Sequence, residues 1–148
     1  MKQRLDYKTA EPKVYEAMSF MEKATKNFSI EPKLLELIKI RASQLNGCGY
    51  CLDMHTKDAR KIGESEQRLY TIAAWWETLF FSEEEQAALK LTEEVTLISK
   101  KGVSDETYQK VVTLFGEKGF AQLLLAIITI NGWNRIAVAT HLIPPKAE

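Results

Sequence analysis

Two cysteines and one histidine carry the reactive chemistry of this 148-residue chain. They are Cys48, Cys51 and His55, so residues 48–55 run Cys, two residues, Cys, three residues, His. On a helix, Cys51 and His55 lie one turn apart on the same face, and Cys48 projects there too where the helix begins beside it. Unpaired backbone N–H groups and the dipole at a helix start stabilise a thiolate, and the imidazole adds a base. In a reducing compartment, two cysteines at this spacing point to catalysis, redox exchange or metal binding.

Other chemistries compete for the same residues. Two small cysteines can pack in a core beside a hydrogen-bonded histidine. Zinc could be held by Cys48, Cys51, His55 and one further ligand, although structural zinc sites usually have four ligands and the chain has no second cysteine pair. A c-type haem site needs histidine immediately after the second cysteine, where Leu52 stands, so haem is excluded. Glu36 is less legible. On a helical wheel, Leu34, Leu35, Leu37, Ile38, Ala42 and Leu45 point broadly one way and Glu36, Lys39 and Ser43 the other, so periodicity assigns Glu36 to a solvated face.

The elements that must hold these residues are helical throughout. Apolar residues recur at three and four, and alternating runs bounded by turn residues are hard to find, so the fold class is all-α. Helices are expected over 11–27, over 32–46 with Pro32 in the first turn and Gly47 at the end, and over 49–62 closed by Gly63. A short helical piece over 64–81 carries Trp75 and Trp76. Ser82 with Glu85 forms a capping-box pattern for the next helix, which Gly102 stops. Ser104 opens another helix, and the last runs over 119–140 before Pro144 and Pro145. Trp75, Trp76, Phe80 and Phe81 read as core or subunit interface, with a wall of the substrate entrance as the lesser reading. Asn131, Asn134 and Arg135, polar residues in an apolar helix, are expected to hydrogen-bond across helices or subunits rather than touch substrate. His141, at that helix's C-terminal end, is assigned no chemistry.

Length and composition set the outer limits. One domain over 1–148 is expected, with residues 1–10 and 143–148 frayed. Twenty Lys+Arg balance twenty Asp+Glu, which leaves no electrostatic footprint for nucleic acid or an anionic membrane surface. Residues 1–13 lack a secretory apolar stretch, and the apolar run 120–130 is too short for a span, so a cytoplasmic protein without membrane helices is expected.

The segment 32–62, with Glu36, eleven intervening residues, Cys48, Cys51 and His55, resembles the core motif of the alkylhydroperoxidase D-like branch of the carboxymuconolactone decarboxylase superfamily. The likeness continues through Trp75 and Trp76, residues 93–96, and Asn131, Trp133, Asn134 and Arg135, and so covers about 14–139. It implies a bundle of six or seven helices that assembles into trimers or hexamers, and a thiol-dependent peroxidase or disulfide reductase of antioxidant defence. By position, Cys51 matches the peroxidatic cysteine, Cys48 the resolving one, and Glu36 and His55 the proton relay. The partners implied are a hydroperoxide and an external thiol or dithiol, with no bound cofactor and no metal.

One position departs from the family pattern. Alkylhydroperoxidase D proteins proper have histidine just before the second cysteine, where this chain has Tyr50. A phenol is a poor base near neutral pH, so activation of Cys48 rests on the helix terminus and His55. A non-redox decarboxylase-like enzyme and a zinc-binding or structural module stand as alternatives, the former weakened because the superfamily's decarboxylases generally lack the cysteine pair.

Overall fold

The structure, a computed structural model, describes residues 2–146. Eight α-helices and one 3-10 segment supply all the regular structure among those residues: α1 (Tyr7–Ala10), α2 (Pro12–Lys26), α3 (Pro32–Leu45), α4 (Gly49–Lys61), α5 (Glu66–Thr71), the 3-10 segment Ile72–Glu77, α6 (Glu83–Thr96), α7 (Ile98–Lys101) and α8 (Asp105–Thr140). Two of these, α1 and α7, are single turns, and the other six match the expected number.

α3 is the axis of the bundle. Leu34, Leu35 and Ile38 pack with Ala88, Leu91, Val111, Leu123 and Ile127 of α6 and α8. From its other side Leu37 and Ile40 meet Ala59, Leu69, Ile72, Trp75, Phe81 and Leu89. Because helices lie on both sides, Lys39, Arg41 and Ser43 are buried as well. The wheel-based assignment of Glu36, Lys39 and Ser43 to solvent is therefore corrected, since a central helix has no solvated face.

α8 also differs from expectation. Helices starting at Ser104 and at Gly119 are expected as separate elements, yet α8 runs from Asp105 to Thr140 with one break at Gly116, where φ is 70°. Only glycine takes that angle without strain, so the break falls there. By length and composition α8 is apolar enough to cross a membrane. Its kink and its buried Thr129, Asn131 and Asn134 mark it instead as the core helix of a folded domain.

The N-terminal residues are not loose where they are described. The Arg4 N–H donates to the Thr140 carbonyl at 2.9 Å, Asp6 caps α1, and Tyr7 is buried. The buried Tyr7 ring seats this strap against the bundle. Met1, Ala147 and Glu148 lie outside the described residues, and 143–146 have no regular structure.

Candidate active site

The turn between α3 and α4 sets the position of both cysteines. Gly47 takes φ 65°, the left-handed conformation that ends α3. The Gly47 N–H reaches the Gln44 carbonyl at 3.3 Å, and the Cys48 N–H reaches the Ser43 carbonyl at 3.0 Å. This pair of bonds is the Schellman motif, which satisfies the last carbonyls of α3. It also delivers Cys48 as the N-cap of α4, whose sulfur accepts the Cys51 backbone N–H at 3.3 Å. Cys48 and Cys51 form a disulfide with Cα atoms 5.4 Å apart. In this state the two sulfurs offer no thiolates to zinc.

One turn beyond Cys51, the buried His55 hydrogen-bonds through Nδ1 to Glu36 Oε2 at 2.9 Å. Glu36 Oε1 accepts from Lys39 Nζ at 3.0 Å, and the same ammonium donates to Glu22 Oε1 at 3.1 Å. Burial pushes the Glu36 carboxyl up, but the His55 hydrogen bond and the Lys39 charge outweigh it and hold the group below the usual carboxylate range. Burial likewise pushes Lys39 down, and the carboxylates of Glu36 and Glu22 more than reverse it. Glu36, His55 and Asp58 bring one donor atom each within 4.8 Å of one another. Within this group Glu36 is bonded to Lys39 and His55, while Asp58 pairs with Lys61.

A depressed carboxyl stabilises the folded state above its unfolded value, about 4.3, and that contribution disappears as pH falls through the lower folded value. Urea melts of wild type and Glu36→Gln should therefore differ most at neutral pH and converge as pH falls through that lower folded value. A difference that stays constant from neutral to acid pH would show that Glu36 is not ionised in the fold.

Cys51 and His55 open on a cavity of about 580 Å³ that Cys48 does not line. Its walls include Tyr7 and Tyr15 from the N-terminal region, Tyr50 and Met54 from α4, and Trp133 and Ile136 from α8. Burial, and then Tyr15, Tyr50 and Asp6, push the Tyr7 phenol up, so it stays a neutral donor in the wall. Sequence reasoning missed Lys39, Tyr7 and Tyr15, whose only signal was their type. The aromatic group takes its structural reading for Trp75 and Phe81, which are core; Trp76 and Phe80 are exposed, and none of the four lines this cavity, which removes the lesser reading as an entrance wall. Asn131 and Asn134 do bond across the bundle, with Asn134 Nδ2 on Ser43 Oγ at 3.0 Å and Asn131 Nδ2 on Thr96 Oγ1 at 3.0 Å, whereas Arg135 bonds only within α8. Arg135 reaches back to Asn131 Oδ1 at 2.7 Å. His141 is the left-handed C-cap of α8.

A helical bundle that sets a Cys-X-X-Cys disulfide and a Glu–His pair around one cavity defines a class, and the sequence agrees with it. The chain belongs to the carboxymuconolactone decarboxylase family, whose profile matches residues 12–94. It is 51% identical over 139 residues to the uncharacterized protein YdfG of Bacillus subtilis strain 168, covering 94% of this chain and 95% of that protein. The crystal structure of ATU0492 from Agrobacterium tumefaciens, a protein of unknown function proposed as the antioxidant defence protein AhpD, matches with TM-score 0.95 and 34% identity over 99% of this chain and all of that one. The alkylhydroperoxidase AhpD core of a peroxidase-related protein from Ralstonia eutropha JMP134 matches with TM-score 0.82 and 17% identity, over 94% of this chain and 74% of that one, a likeness of fold. Within the family, the chain falls in the AhpD-like branch.

Proposed function

We propose that the chain is a thiol-dependent hydroperoxidase and disulfide reductase of antioxidant defence, working in the cytoplasm without a bound cofactor. Cys51 is the peroxidatic nucleophile, Cys48 the resolving thiol, and His55 with Glu36 the proton relay. The observation that carries this reading is the shared cavity: Cys51 and His55 line it, Cys48 stands behind in disulfide contact, and Glu36 holds the far nitrogen of the imidazole.

In the reduced protein, His55 takes the Cys51 thiol proton. The thiolate attacks the terminal oxygen of a hydroperoxide, the O–O bond breaks, and the alcohol leaves with the proton returned by His55, which gives a sulfenic acid on Cys51. The Cys48 sulfur then attacks the Cys51 sulfur: the S–O bond breaks, the Cys48 thiol proton goes to the departing hydroxide, and water leaves as the disulfide forms. An external dithiol supplies two electrons by attacking the cavity-side sulfur, Cys51, and Cys48 departs as a thiolate at the N-cap of α4, where the helix terminus stabilises it. A trimer or hexamer belongs to the same proposal, supported by the exposed apolar side chains of Phe20, Trp76, Leu79 and Ile128.

The test is intact mass and thiol titration of the metal-free, pre-reduced protein before and after one equivalent of cumene hydroperoxide. Wild type should lose two thiols and two mass units. Cys48→Ser should stop at a sulfenic acid on Cys51, trapped by dimedone. Two thiols that stay reduced through this treatment would overturn the redox reading in favour of a non-redox family enzyme.

A further inference from the structure

The Glu–His pair does not stand alone. Lys39 sits 8% exposed at the floor of the cavity, with its ammonium between Glu36 Oε1 and Glu22 Oε1. A buried lysine is costly unless it is paired, and this one has two carboxylate partners from two helices. Glu36 thus spends one oxygen on Lys39 and the other on His55 Nδ1. While Glu36 is ionised, Nδ1 must be the protonated nitrogen, and Nε2 is left as the acceptor.

A lone buried carboxylate against an imidazole favours the imidazolium, and an imidazolium cannot take a proton from a thiol. We propose that Lys39 is a positioning residue of the relay: its ammonium holds Glu36 Oε1, which keeps Oε2 on His55 Nδ1, and its charge offsets that of the carboxylate beside the imidazole. This rests on the hydroperoxidase reading for its use, and on the Glu22–Lys39–Glu36–His55 geometry for its existence.

Other charges border the same space. α2 contributes Lys26 beside Glu22, α4 contributes Asp58, and the N-terminal segment contributes Asp6 and Lys8. Asp58 pairs with Lys61 at 2.9 Å, Asp6 caps α1, and Lys8 lies over the Tyr15 ring at 4.4 Å. The cavity residues from α8, Trp133, Ile136 and Ala137, carry no charge. Lys39 is the cation in direct contact with the relay, and removing it leaves Glu22 and Glu36 both uncompensated.

Loss of a nearby cation raises every proton affinity around it, whether the proton sits on sulfur or on imidazole. In Lys39→Met, the acid limb of Cys51 alkylation and of hydroperoxide turnover should move up by about one pH unit, a drop of about tenfold in rate along that limb. Lys39→Arg should restore the wild-type limb. Glu22→Gln removes an anion instead, so its limb should move to lower pH, and this sign decides the matter even where Lys39→Met fails to fold. Imidazole ¹⁵N spectra read His55 directly, since the chain has two histidines. Wild type should show the Nδ1–H tautomer, Lys39→Met should stay imidazolium to higher pH, and His141 should not move. Unchanged limbs and His55 spectra in folded Lys39→Met, or in Glu22→Gln where Lys39→Met does not fold, would overturn the role of Lys39. Wild type that consumes no hydroperoxide would overturn the functional reading, while the spectra would still report on Lys39.

Discussion

Cys51→Ser is expected to abolish hydroperoxide turnover, by about a thousandfold or more, with no sulfenic acid formed anywhere on the chain. Two physical effects favour different sulfurs. The helix N-terminus acts on Cys48, whose sulfur accepts the Cys51 N–H, and this is worth roughly 0.3–1 kcal/mol of thiolate stabilisation. Access acts on Cys51, which borders the cavity while Cys48 does not. Both sulfurs are buried, Cys48 at 1% and Cys51 at 2% exposure, so the expected order rests on Cys51 facing the cavity and standing one helical turn from His55. Steady-state turnover with a dithiol reductant, together with dimedone trapping, checks the order. Cys51→Ser that retains turnover while Cys48→Ser loses its first oxidation would reverse it.

The same contrast explains how a disulfide serves both half-reactions. In the proposed cycle the sulfur that meets substrates is the one on the cavity side, and the one that leaves is the N-cap. Each property comes from a different backbone feature, the face of α4 for Cys51 and the Schellman turn at Gly47 for Cys48.

Much of this arrangement is legible from residue types. The α3–α4 boundaries follow from Pro32, Gly47 and the Cys-X-X-Cys-X-X-X-His spacing, and the Ser82–Glu85 box closes as its residues demand, with the Ser82 N–H on Glu85 Oε2 at 2.8 Å. Periodicity fails at Glu36, Lys39 and Ser43, because it separates apolar from polar faces and α3 buries both. Only the family resemblance singles out Glu36, and nothing in the local sequence pairs Lys39 with Glu22, seventeen residues away on another helix. The cavity walls fail for a related reason: Tyr7 and Tyr15 line the same cavity as Cys51 because the N-terminal strap and α2 dock onto α8, long-range contacts that spacing does not encode.

A second large effect is expected at a residue that touches no substrate. Asn134 is 0% exposed; its Nδ2 donates to Ser43 Oγ at 3.0 Å, and its Oδ1 accepts from Asn46 Nδ2 at 2.9 Å. Ser43 and Asn46 belong to the turn that presents Cys48, since the Ser43 carbonyl holds the Cys48 N–H. Asn134→Ala leaves a buried hydroxyl without its donor and removes one acceptor of Asn46, at about 1–3 kcal/mol, and adds a cavity. The sum, about 2–4 kcal/mol, should lower the melting temperature by about 5–15 °C in a domain of this size. Asn134→Leu keeps the branched heavy-atom outline in a bulkier form and discards the hydrogen bonds, so it removes the hydrogen bonds without opening a cavity. If hydrogen bonding holds the turn, Asn134→Leu should also be destabilised, and both variants should close the Cys48–Cys51 disulfide more slowly after oxidation of Cys51. Wild-type stability and closure rate in Asn134→Leu would instead assign the residue to packing alone.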